Sequence, residues 1–468
     1  MIKFGTGGWR AIIGDGFTKE NIQRVSKALA AKMKAEGLED RGIVMGYDRR
    51  FLSKESMQWA GQVFAQEGIP AYLIYKSSPT PLVMFYVMKH GFPYGMMITA
   101  SHNPAIYNGI KVFTAGGRDA DETQTKDIER YIQSIDGDIL EMDYDEGVDR
   151  GLIVEINPLN EYIDHIIHRI DMEKIRESKL RIAIDPLHGV SLRALNTILL
   201  TARCDVETIH GNHDTLFGGK LPSPNEETVR GLQNHVVDYD FDIGIATDGD
   251  ADRIGVIDDR GRYLHPNDIL VILYYYLLKY KGWRGPIVRN IATTHMLDRL
   301  AESFGEECYE VPVGFKYISA KMEKTGAIIG GESSGGLTVK GHINGKDGIY
   351  AAMLLVEMVA VTGKKLSEII DEIHGEYGQL YMEERGYKLR ADQKEQIHRR
   401  LMIEKKIPNL GLEIHDISYI DGVKIYFKNG GWIVVRFSGT EPLLRIFCEM
   451  STEKEVQKVM TKAVMNLL

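Results

Sequence analysis

The sequence is poor in cysteine and has no long apolar segment. Only three cysteines, Cys204, Cys308 and Cys448, occur among 468 residues, and none belongs to a C-x-x-C pair. This scarcity argues against a disulfide framework or a structural zinc site. The longest apolar run, residues 269–278, has ten residues, whereas a helix needs roughly 20 to cross a bilayer. The sequence therefore does not predict a membrane protein.

A basic excess is also missing. The chain carries 57 lysines and arginines against 66 aspartates and glutamates, a formal net charge of −9. This balance argues against a general nucleic-acid-binding protein, although a local basic cleft in an acidic protein can still bind small anions. Residues 1–10 lack the charged-then-apolar pattern of a secretory signal. We therefore expect a cytoplasmic protein with neither nucleic acid nor membrane as a partner.

What the chain does contain is typical of a soluble globular protein. Apolar residues make up 44% and charged residues 26%, which excludes global disorder. At roughly 150 residues per domain, this length predicts three or four domains with sizeable cores.

Short β-branched runs alternate with longer amphipathic stretches, which favours α/β layers over a sandwich or a bundle. The runs predicted as strands are residues 42–47, 94–98, 180–184, 241–246 and 327–329, and the predicted helices are 18–37, 54–67, 123–134, 159–170, 267–281 and 349–361. Three of the strands end at an aspartate, namely Asp48, Asp185 and Asp248. This recurrence favours three related α/β units.

The C-terminal part follows a different pattern. Strand-like segments at 381–389, 423–427, 432–437 and 443–450 precede a helical segment at 454–467. Strands closed by one helix are typical of a separate α+β module. We place domain boundaries near 155, 260 and 375.

A serine follows one of the predicted strands. In Thr-Ala-Ser-His-Asn-Pro, residues 99–104, Asn-Pro forces a turn that leaves Ser101 on a loop past the strand end. Ligands bind at this edge of α/β sheets. Ser101 is a candidate nucleophile, although the adjacent His102 is no evidence of a catalytic triad, and a plain capped turn is an equally good interpretation of this segment alone.

Three evenly spaced aspartates follow another strand. Asp248, Asp250 and Asp252 can converge on one hard cation, and Mg²⁺ suits such oxygen ligands best. An EF-hand does not fit, because Arg253 and Asp259 stand where its loop needs glycine and glutamate. A haloacid-dehalogenase-type D-x-D loop has Thr or Val where this chain has Asp252. A solvated acidic loop is the remaining alternative.

Two further loops offer polar groups. Residues 330–336, Gly-Gly-Glu-Ser-Ser-Gly-Gly, present Glu332 and Ser334 on a glycine-rich turn that could bind sugar hydroxyls. Residues 436–442, Arg-Phe-Ser-Gly-Thr-Glu-Pro, with Arg445 beyond them, could bind a phosphate through a guanidinium and turn amides. A flexible turn and a surface hairpin are the respective alternatives. Glycine turns also precede three cations, Arg10, Lys111 and Lys316.

Together these motifs resemble the α-D-phosphohexomutase family, in its phosphoglucomutase/phosphomannomutase branch. The resemblance runs along the whole chain and is carried by residues 4–10, 99–104, 108–111, 248–253, 313–316, 330–336 and 436–442. It implies three related α/β domains and a C-terminal α+β domain with a TATA-binding-protein-like sheet, arranged around a central cleft. Domains 1–155, 156–260, 261–375 and 376–468 would carry the phosphoserine, magnesium, sugar-specificity and phosphate-binding loops.

The resemblance also implies a role for each site residue. Ser101 would be the phosphoserine, and a phosphate oxygen on it would share one Mg²⁺ with Asp248, Asp250 and Asp252. Glu332 and Ser334 would select the sugar, whereas Arg436, Ser438, Gly439 and Thr440 would bind the phosphate that is not transferred. Arg10, Lys111, Arg253 and Lys316 match positions that line the cleft. We interpret Lys111 as the general base, count His102 among the catalytic candidates and Arg445 among the substrate-binding ones.

Two positions depart from the family pattern. The sugar loop ends Ser334-Gly335-Gly336 where many relatives that act on mannose or glucosamine phosphates have Ser-Gly-His, so the family histidine is missing. This ending looks closer to glucose-directed relatives. Phe437 stands where relatives often have proline, which should leave the phosphate-binding groups intact.

The sequence thus predicts an isomerase that interconverts hexose 1-phosphate and hexose 6-phosphate, with glucose as the favoured hexose and mannose as the second. Its expected partners are sugar phosphates, with a hexose 1,6-bisphosphate as intermediate and primer; the oligomeric state stays undetermined. One alternative is a magnesium-dependent sugar phosphatase with Asp248 as nucleophile. The other is a non-catalytic sugar-phosphate-binding protein on the same fold.

Overall fold

The structure, a computed structural model, describes residues 2–5, 8–437 and 443–467. It divides into two compact units, one of residues Met1–Tyr276 and Ser334–Ile369, the other of Leu277–Ser333 and Ile370–Leu468. The described part of the chain forms four sheets, three in α/β regions and one antiparallel near the C-terminus, so the α/β class and four-domain architecture are confirmed. The domain boundaries near 155, 260 and 375 stay predictions. Among the described residues, no helix has both the length and the apolar character that a membrane crossing requires.

The first sheet lies in the first unit and has the strand order β1-β5-β4-β2-β3-β7, with β6 paired to β5. Strands β4, β2, β3 and β7 are parallel, whereas β5 runs antiparallel to β4. Its elements are β1 (Trp9–Ile12), α1 (Lys19–Ala35), β2 (Ile43–Tyr47), α2 (Ser53–Gln66), β3 (Ala71–Ile74), α3 (Thr80–His90), β4 (Tyr94–Ile98), β5 (Tyr107–Thr114), β6 (Arg118–Asp119), α4 (Glu122–Gln133), α5 (Tyr144–Asp149) and β7 (Ile153–Ile156).

The second sheet belongs to the same unit and has the order β12-β11-β10-β8-β9. Its elements are α6 (Leu159–Ile167), α7 (Met172–Ser178), β8 (Arg181–Asp185), α8 (Leu192–Thr201), β9 (Asp205–Thr208), α9 (Arg230–Asp238), β10 (Ile243–Thr247), β11 (Ile254–Ile257) and β12 (Tyr263–Leu264), followed by α10 (Pro266–Lys279). In β2, β4 and β10 every residue is buried, which explains why these strands read as continuous apolar runs.

In the second unit, β13 lies between β14 and β15 and is parallel to both. The elements of this region are β13 (Ile287–Asn290), α11 (Met296–Ser303), β14 (Cys308–Val311), α12 (Phe315–Thr325) and β15 (Ile329–Gly331). The chain then returns to the first unit with β16 (Leu337–Val339), α13 (Gly348–Thr362) and the start of α14 (Leu366–Tyr377).

The C-terminal sheet is antiparallel throughout, in the order β17-β21-β20-β19-β18. It is built from β17 (Tyr381–Lys388), α15 (Ala391–His398), β18 (Ile414–Ser418), β19 (Val423–Phe427), β20 (Trp432–Phe437), β21 (Leu443–Met450) and α16 (Glu453–Leu467). Helix α16 packs on this sheet and buries Val456, Val459 and Met460 in its core.

The three α/β regions repeat one strand arrangement, as the sequence predicts. In each, the first strand (β2, β8 or β13) is flanked by the second and the third, all parallel. At the end of the first strand, the Oδ1 atoms of Asp48, Asp185 and Asn290 accept a hydrogen bond from the amide two residues later. The third member of the repeat is therefore Asn290 and not Asp248, which follows the third strand β10; the sequence interpretation was wrong at this point.

A buried charge cluster joins the third α/β region to the C-terminal sheet within the second unit. Lys424 of β19 is fully buried, and its Nζ donates to Glu310 Oε2 on β14 at 2.6 Å. Burial and the nearby Arg289 lower the pKa of Lys424 to about 7, although Glu310 opposes the shift. His295 and Asp298 complete the charged and titratable surroundings of Lys424.

This lowered pKa predicts a pH-dependent contribution of Lys424 to stability. Below about pH 7 the folded and the unfolded chain both hold the proton, and the cost of burying the ammonium is present in full. As the pH rises from about 7 towards the ordinary value of 10.5, the folded state loses the proton first. The free energy of unfolding of the wild type should therefore rise over this window, relative to Lys424→Met, by ~5 kcal/mol. Urea unfolding of both proteins across the window tests this, and a constant difference would contradict it.

Candidate active site

Ser101 lies just past β4 in the first unit and is 1% exposed. Its Oγ donates a hydrogen bond to Asp248 Oδ2 at 2.7 Å, although the two residues are 147 positions apart. The backbone of Ser101 has φ 52°, in the left-handed region that non-glycine residues rarely adopt. The loop thus holds one buried hydroxyl directly against the acidic segment.

The three aspartates lie on the loop between β10 and β11, and all are at most 1% exposed. One carboxylate oxygen from each can be chosen so that all lie within 4.8 Å of one another. The amide of Arg253 donates to Asp248 Oδ1 at 3.0 Å, which holds the loop in a tight turn. The spacing i, i+2, i+4 therefore does bring the three carboxylates together, as the sequence predicts.

Cations and a hydroxyl from neighbouring elements meet these carboxylates. Lys111 of β5 donates through Nζ to Asp250 Oδ2 at 2.6 Å and to Asp252 Oδ2 at 2.7 Å. Thr80 at the start of α3 donates to Asp250 Oδ2 at 2.6 Å, and Lys346 Nζ lies 3.0 Å from Asp252 Oδ2. The charge of the acidic loop is thus partly balanced by the chain itself.

The charge crowding separates the pKa values of the three aspartates. Burial, with the added repulsion of its two neighbours, raises the pKa of Asp248 well above its usual range. Burial also opposes ionisation of Asp250 and Asp252, but Lys111 outweighs it and both pKa values are lowered. Burial alone would lower the pKa of Lys111, yet Asp250 and Asp252 shift it upward. The three carboxylates therefore differ in how readily they ionise, and Asp248 is the least acidic of them.

The donor set fits a hard divalent cation. Asp250 Oδ1 and Asp252 Oδ1 are buried and have no hydrogen-bond partner in the described part of the chain. A buried carboxylate oxygen left without a partner is costly. A cation coordinated by oxygens removes that cost, and clustered carboxylates are the ligands that Mg²⁺ takes.

The other catalytic candidates surround the same serine. His102 Nδ1 lies 3.3 Å from Ser101 Oγ; burial and the nearby Arg253 keep its pKa well below the usual range, so the ring is neutral. Arg10 donates to Asn103 Oδ1 at 2.6 Å, and its pKa is lowered by burial and by Arg253. Arg253 Nε lies 3.8 Å from Asp252 Oδ1.

Lys346 is a site residue that the sequence analysis missed. A Cβ atom added to Gly336 would lie 2.2 Å from Lys346 Cδ. The absence of a side chain at 336 thus makes room for Lys346, a cation that comes from another loop. The available signal was a lysine directly before Asp347, the N-cap residue of α13.

The sugar-loop residues fall in different units. Ser334 belongs to the first unit and is exposed, whereas Glu332 belongs to the second and is 8% exposed. Glu332 Oε1 accepts hydrogen bonds from Gly314 N at 3.0 Å and Asn290 Nδ2 at 3.3 Å. Lys316 follows on α12, half-buried, with its ammonium over the ring of Tyr317.

In the second unit, Arg436 at the end of β20 donates through Nε to Asp421 Oδ2 at 2.7 Å. The same oxygen accepts the amide of Val313 at 3.0 Å. Glu332 accepts the next amide, that of Gly314, so Asp421 and Glu332 bind adjacent amides of one loop, and Asp421 links Arg436 to that loop. Arg445 pairs across the strands with Arg436 and contacts Glu384. The predicted Ser438, Gly439 and Thr440 lie outside the described residues.

Four family models match the chain in order. They are described as phosphoglucomutase/phosphomannomutase α/β/α domain I (residues 1–138), domain II (160–261) and domain III (265–377), and the C-terminal domain (388–464).

Individual relatives match over most of their length. A phosphoglucomutase/phosphomannomutase of Thermococcus kodakarensis is 29% identical over 97% of this chain and 96% of its own. A phosphoglucosamine mutase of Methanococcus maripaludis is 30% identical over 82% of this chain and 83% of its own. A crystal structure of a Thermus thermophilus protein, assigned provisionally as a phosphomannomutase, superposes with a TM-score of 0.86 at 28% identity and covers 99% of this chain and 98% of that one.

Proposed function

Because the chain belongs to the phosphoglucomutase/phosphomannomutase family of phosphohexomutases, we propose that it interconverts hexose 1-phosphate and hexose 6-phosphate through a phosphorylated Ser101, with glucose as the preferred hexose. The supporting observation is the 2.7 Å contact between Ser101 Oγ and Asp248 in a buried cluster of three carboxylates. A nucleophile held against a cation site is what phosphoryl transfer to and from a hydroxyl needs.

Phosphorylation of Ser101 would add a charge of roughly −1.5 to −2. Arg10, Arg253 and Lys346 supply positive charge around the aspartate loop. Magnesium held by Asp248, Asp250 and Asp252 would neutralise developing charge and polarise the phosphoryl group. The chain's own cations orient the phosphate, and burial of the hydroxyl excludes water that would otherwise take the phosphoryl group.

We assign proton transfer to Lys111. Its ammonium sits among the same carboxylates and carries a proton because they raise its pKa. A protonated Lys111 suits the half-reaction in which the phosphoryl group returns to Ser101: the departing sugar oxygen gains the proton of Lys111, and the proton of the Ser101 hydroxyl passes to Asp248 Oδ2, which accepts its hydrogen bond. In the opposite half-reaction Lys111, by then neutral, would accept the proton of the attacking sugar hydroxyl, and Asp248 would return its proton to Ser101 Oγ.

The complete reaction requires the bisphosphate intermediate to present each of its ends to Ser101 in turn. Glu332 and Ser334 would then bind hydroxyl groups in both orientations, and Arg436 with Lys316, Arg445 and residues 438–440 would hold the phosphate that is not reacting. Asp421, which accepts a hydrogen bond from Arg436, and Glu332 bind the neighbouring amides of Val313 and Gly314. This arrangement supports the division of roles, because it fixes Arg436 and Glu332 relative to each other.

The charge near Ser101 supports glucose over glucosamine as the preferred sugar. Glucosamine 1-phosphate carries an ammonium that glucose 1-phosphate lacks, and Lys346, Arg10 and Arg253 already crowd the aspartate loop with positive charge. We expect kcat/KM for glucose 1-phosphate to exceed that for glucosamine 1-phosphate by about tenfold, a difference of about 1.4 kcal/mol. Mannose 1-phosphate should fall between them.

The test compares the three sugar phosphates with magnesium and a trace of glucose 1,6-bisphosphate, following both the 6-phosphate product and inorganic phosphate. Product formation without phosphate release supports the mutase. Phosphate release that needs no bisphosphate would instead establish a phosphatase, and binding without turnover a non-catalytic protein. A preference for glucosamine 1-phosphate would overturn the sugar assignment alone.

A further inference from the structure

One guanidinium donates hydrogen bonds to several carbonyl groups of the Ser101 loop. Arg50 follows β2 and is 3% exposed. Its Nη2 donates to the carbonyl oxygens of Ser101 and Asn103, both at 2.6 Å. Its Nη1 donates to those of Pro104 and Tyr107, both at 2.9 Å. Four carbonyls of one seven-residue turn thus converge on a single side chain.

Asp48 and Thr99 hold the same turn from the other side. Thr99 Oγ1 accepts the amide of Ser101 at 2.8 Å and donates to Asp48 Oδ2 at 2.6 Å. That carboxylate oxygen also lies 3.3 Å from Arg50 Nε. Both peptide groups of Ser101, its amide and its carbonyl, are therefore tied to one buried Asp48–Arg50 pair.

These contacts stabilise a backbone conformation that is unfavourable by itself. A serine at φ 52° costs free energy that the surrounding structure must supply. The guanidinium of Arg50 also lies 4.9 Å from the ring centre of Phe217, a buried residue in the region that carries the aspartate loop. Arg50, Asp48 and Thr99, which we call the clamp, thus contact the Ser101 loop, and through Arg50 the clamp also contacts the region that carries the aspartate loop.

We propose that Arg50 is a positioning residue for phosphoryl transfer: its fork of four hydrogen bonds holds Ser101 in the left-handed conformation that directs Oγ towards Asp248. In this role Arg50 acts through the geometry of the nucleophile, since its guanidinium hydrogen bonds go to the carbonyls of the Ser101 loop. The proposal rests on the proposed function of Ser101. It predicts a loss in the transfer step rather than in sugar-phosphate binding, since misplacement of a reacting atom costs rate.

The test is Arg50→Lys, which keeps the charge but not the planar fork. The matched control is Arg49→Lys. Arg49 is the adjacent arginine, and it donates to the carbonyls of His188, Gly211 and Asn212 rather than to the Ser101 loop. Single-turnover phosphorylation of Ser101 by glucose 1,6-bisphosphate should slow by ~10²-fold in Arg50→Lys, with KM for glucose 1-phosphate changed less than about twofold. Arg49→Lys should transfer at nearly the wild-type rate.

A second pair of variants tests the clamp if Arg50→Lys does not fold. Thr99→Val removes the hydroxyl that binds the Ser101 amide, whereas Thr99→Ser keeps it. We expect transfer in Thr99→Val to be slower than in Thr99→Ser by about tenfold. Equal transfer rates within either pair of variants would overturn the proposal. Absence of Ser101 phosphorylation in the wild type would instead refute the proposed function.

Discussion

Replacement of Ser101 by alanine should lower kcat for the conversion of glucose 1-phosphate by at least about 10⁴-fold. Alanine retains the backbone but has no oxygen to carry the phosphoryl group between the two ends of the sugar. The residues around it, including the aspartate loop and Lys111, keep their packing because only one buried hydroxyl is lost. Coupled detection of glucose 6-phosphate measures the effect, and circular dichroism verifies that the variant is folded.

The matched control is Ser56→Ala. Ser56 is fully buried in α2, and its Oγ has no hydrogen-bond partner in the described part of the chain. Its removal should leave kcat unchanged. Mass spectrometry after incubation with glucose 1,6-bisphosphate should find phosphate on the peptide with Ser101 in wild type and Ser56→Ala. Substantial turnover by Ser101→Ala would show that another group carries the phosphate.

The second large effect is expected from Asp248→Asn. The amide keeps the shape of the carboxylate but removes one of three crowded charges, so the cation site loses an anionic ligand. We expect kcat to fall by about 10³-fold. The metal-free variant should nevertheless melt at or above the wild-type temperature at neutral pH, because the repulsion that raises the pKa of Asp248 is relieved. Magnesium should raise the melting temperature of the wild type and not that of the variant.

Asp185→Asn serves as the comparison. Asp185 is equally buried at the end of β8, but its carboxylate accepts hydrogen bonds from the amide of Leu187 and from His210 and does not belong to the cluster of three aspartates. This variant should lose stability and still respond to magnesium. An unchanged magnesium response in Asp248→Asn would remove Asp248 from the cation site.

The sequence predicts best the elements that lie in the middle of a sheet. The strand at 94–98 agrees residue by residue with β4, because burial on both faces leaves a continuous apolar run. The strands at 423–427 and 432–437 agree equally well with β19 and β20, although Lys424 and Arg436 interrupt their apolar runs. Strand β9 was not predicted, because it lies at a sheet edge and is largely exposed. Strand β13 was not predicted either, because the buried Arg289 and Asn290 interrupt a short apolar pattern of only four residues.

The motifs of the site are local, whereas their contacts are not. Ser101 and the aspartates could be found in the sequence because each group lies on one short turn after a strand. The cations that meet them come from distant elements: a glycine turn and the family motif at 108–111 pointed to Lys111, whereas Lys346 was not predicted. Arg50 was missed for the same reason, since its partners lie 51 to 57 residues further along the chain. The residues 438–440 fall outside the described part, so their role stays a prediction.

The left-handed backbone at Ser101 has a chemical consequence. Threonine offers the same type of hydroxyl and is phosphorylated in many proteins, yet a β-branched side chain is a genuine outlier at φ 52°. The extra methyl group would press against the main chain and reopen the turn, and a left-handed residue already costs roughly 1–2 kcal/mol. At this position the hydroxyl that carries the phosphoryl group is therefore restricted to a primary alcohol. Serine and threonine are both chemically competent, but the conformation of the main chain favours serine.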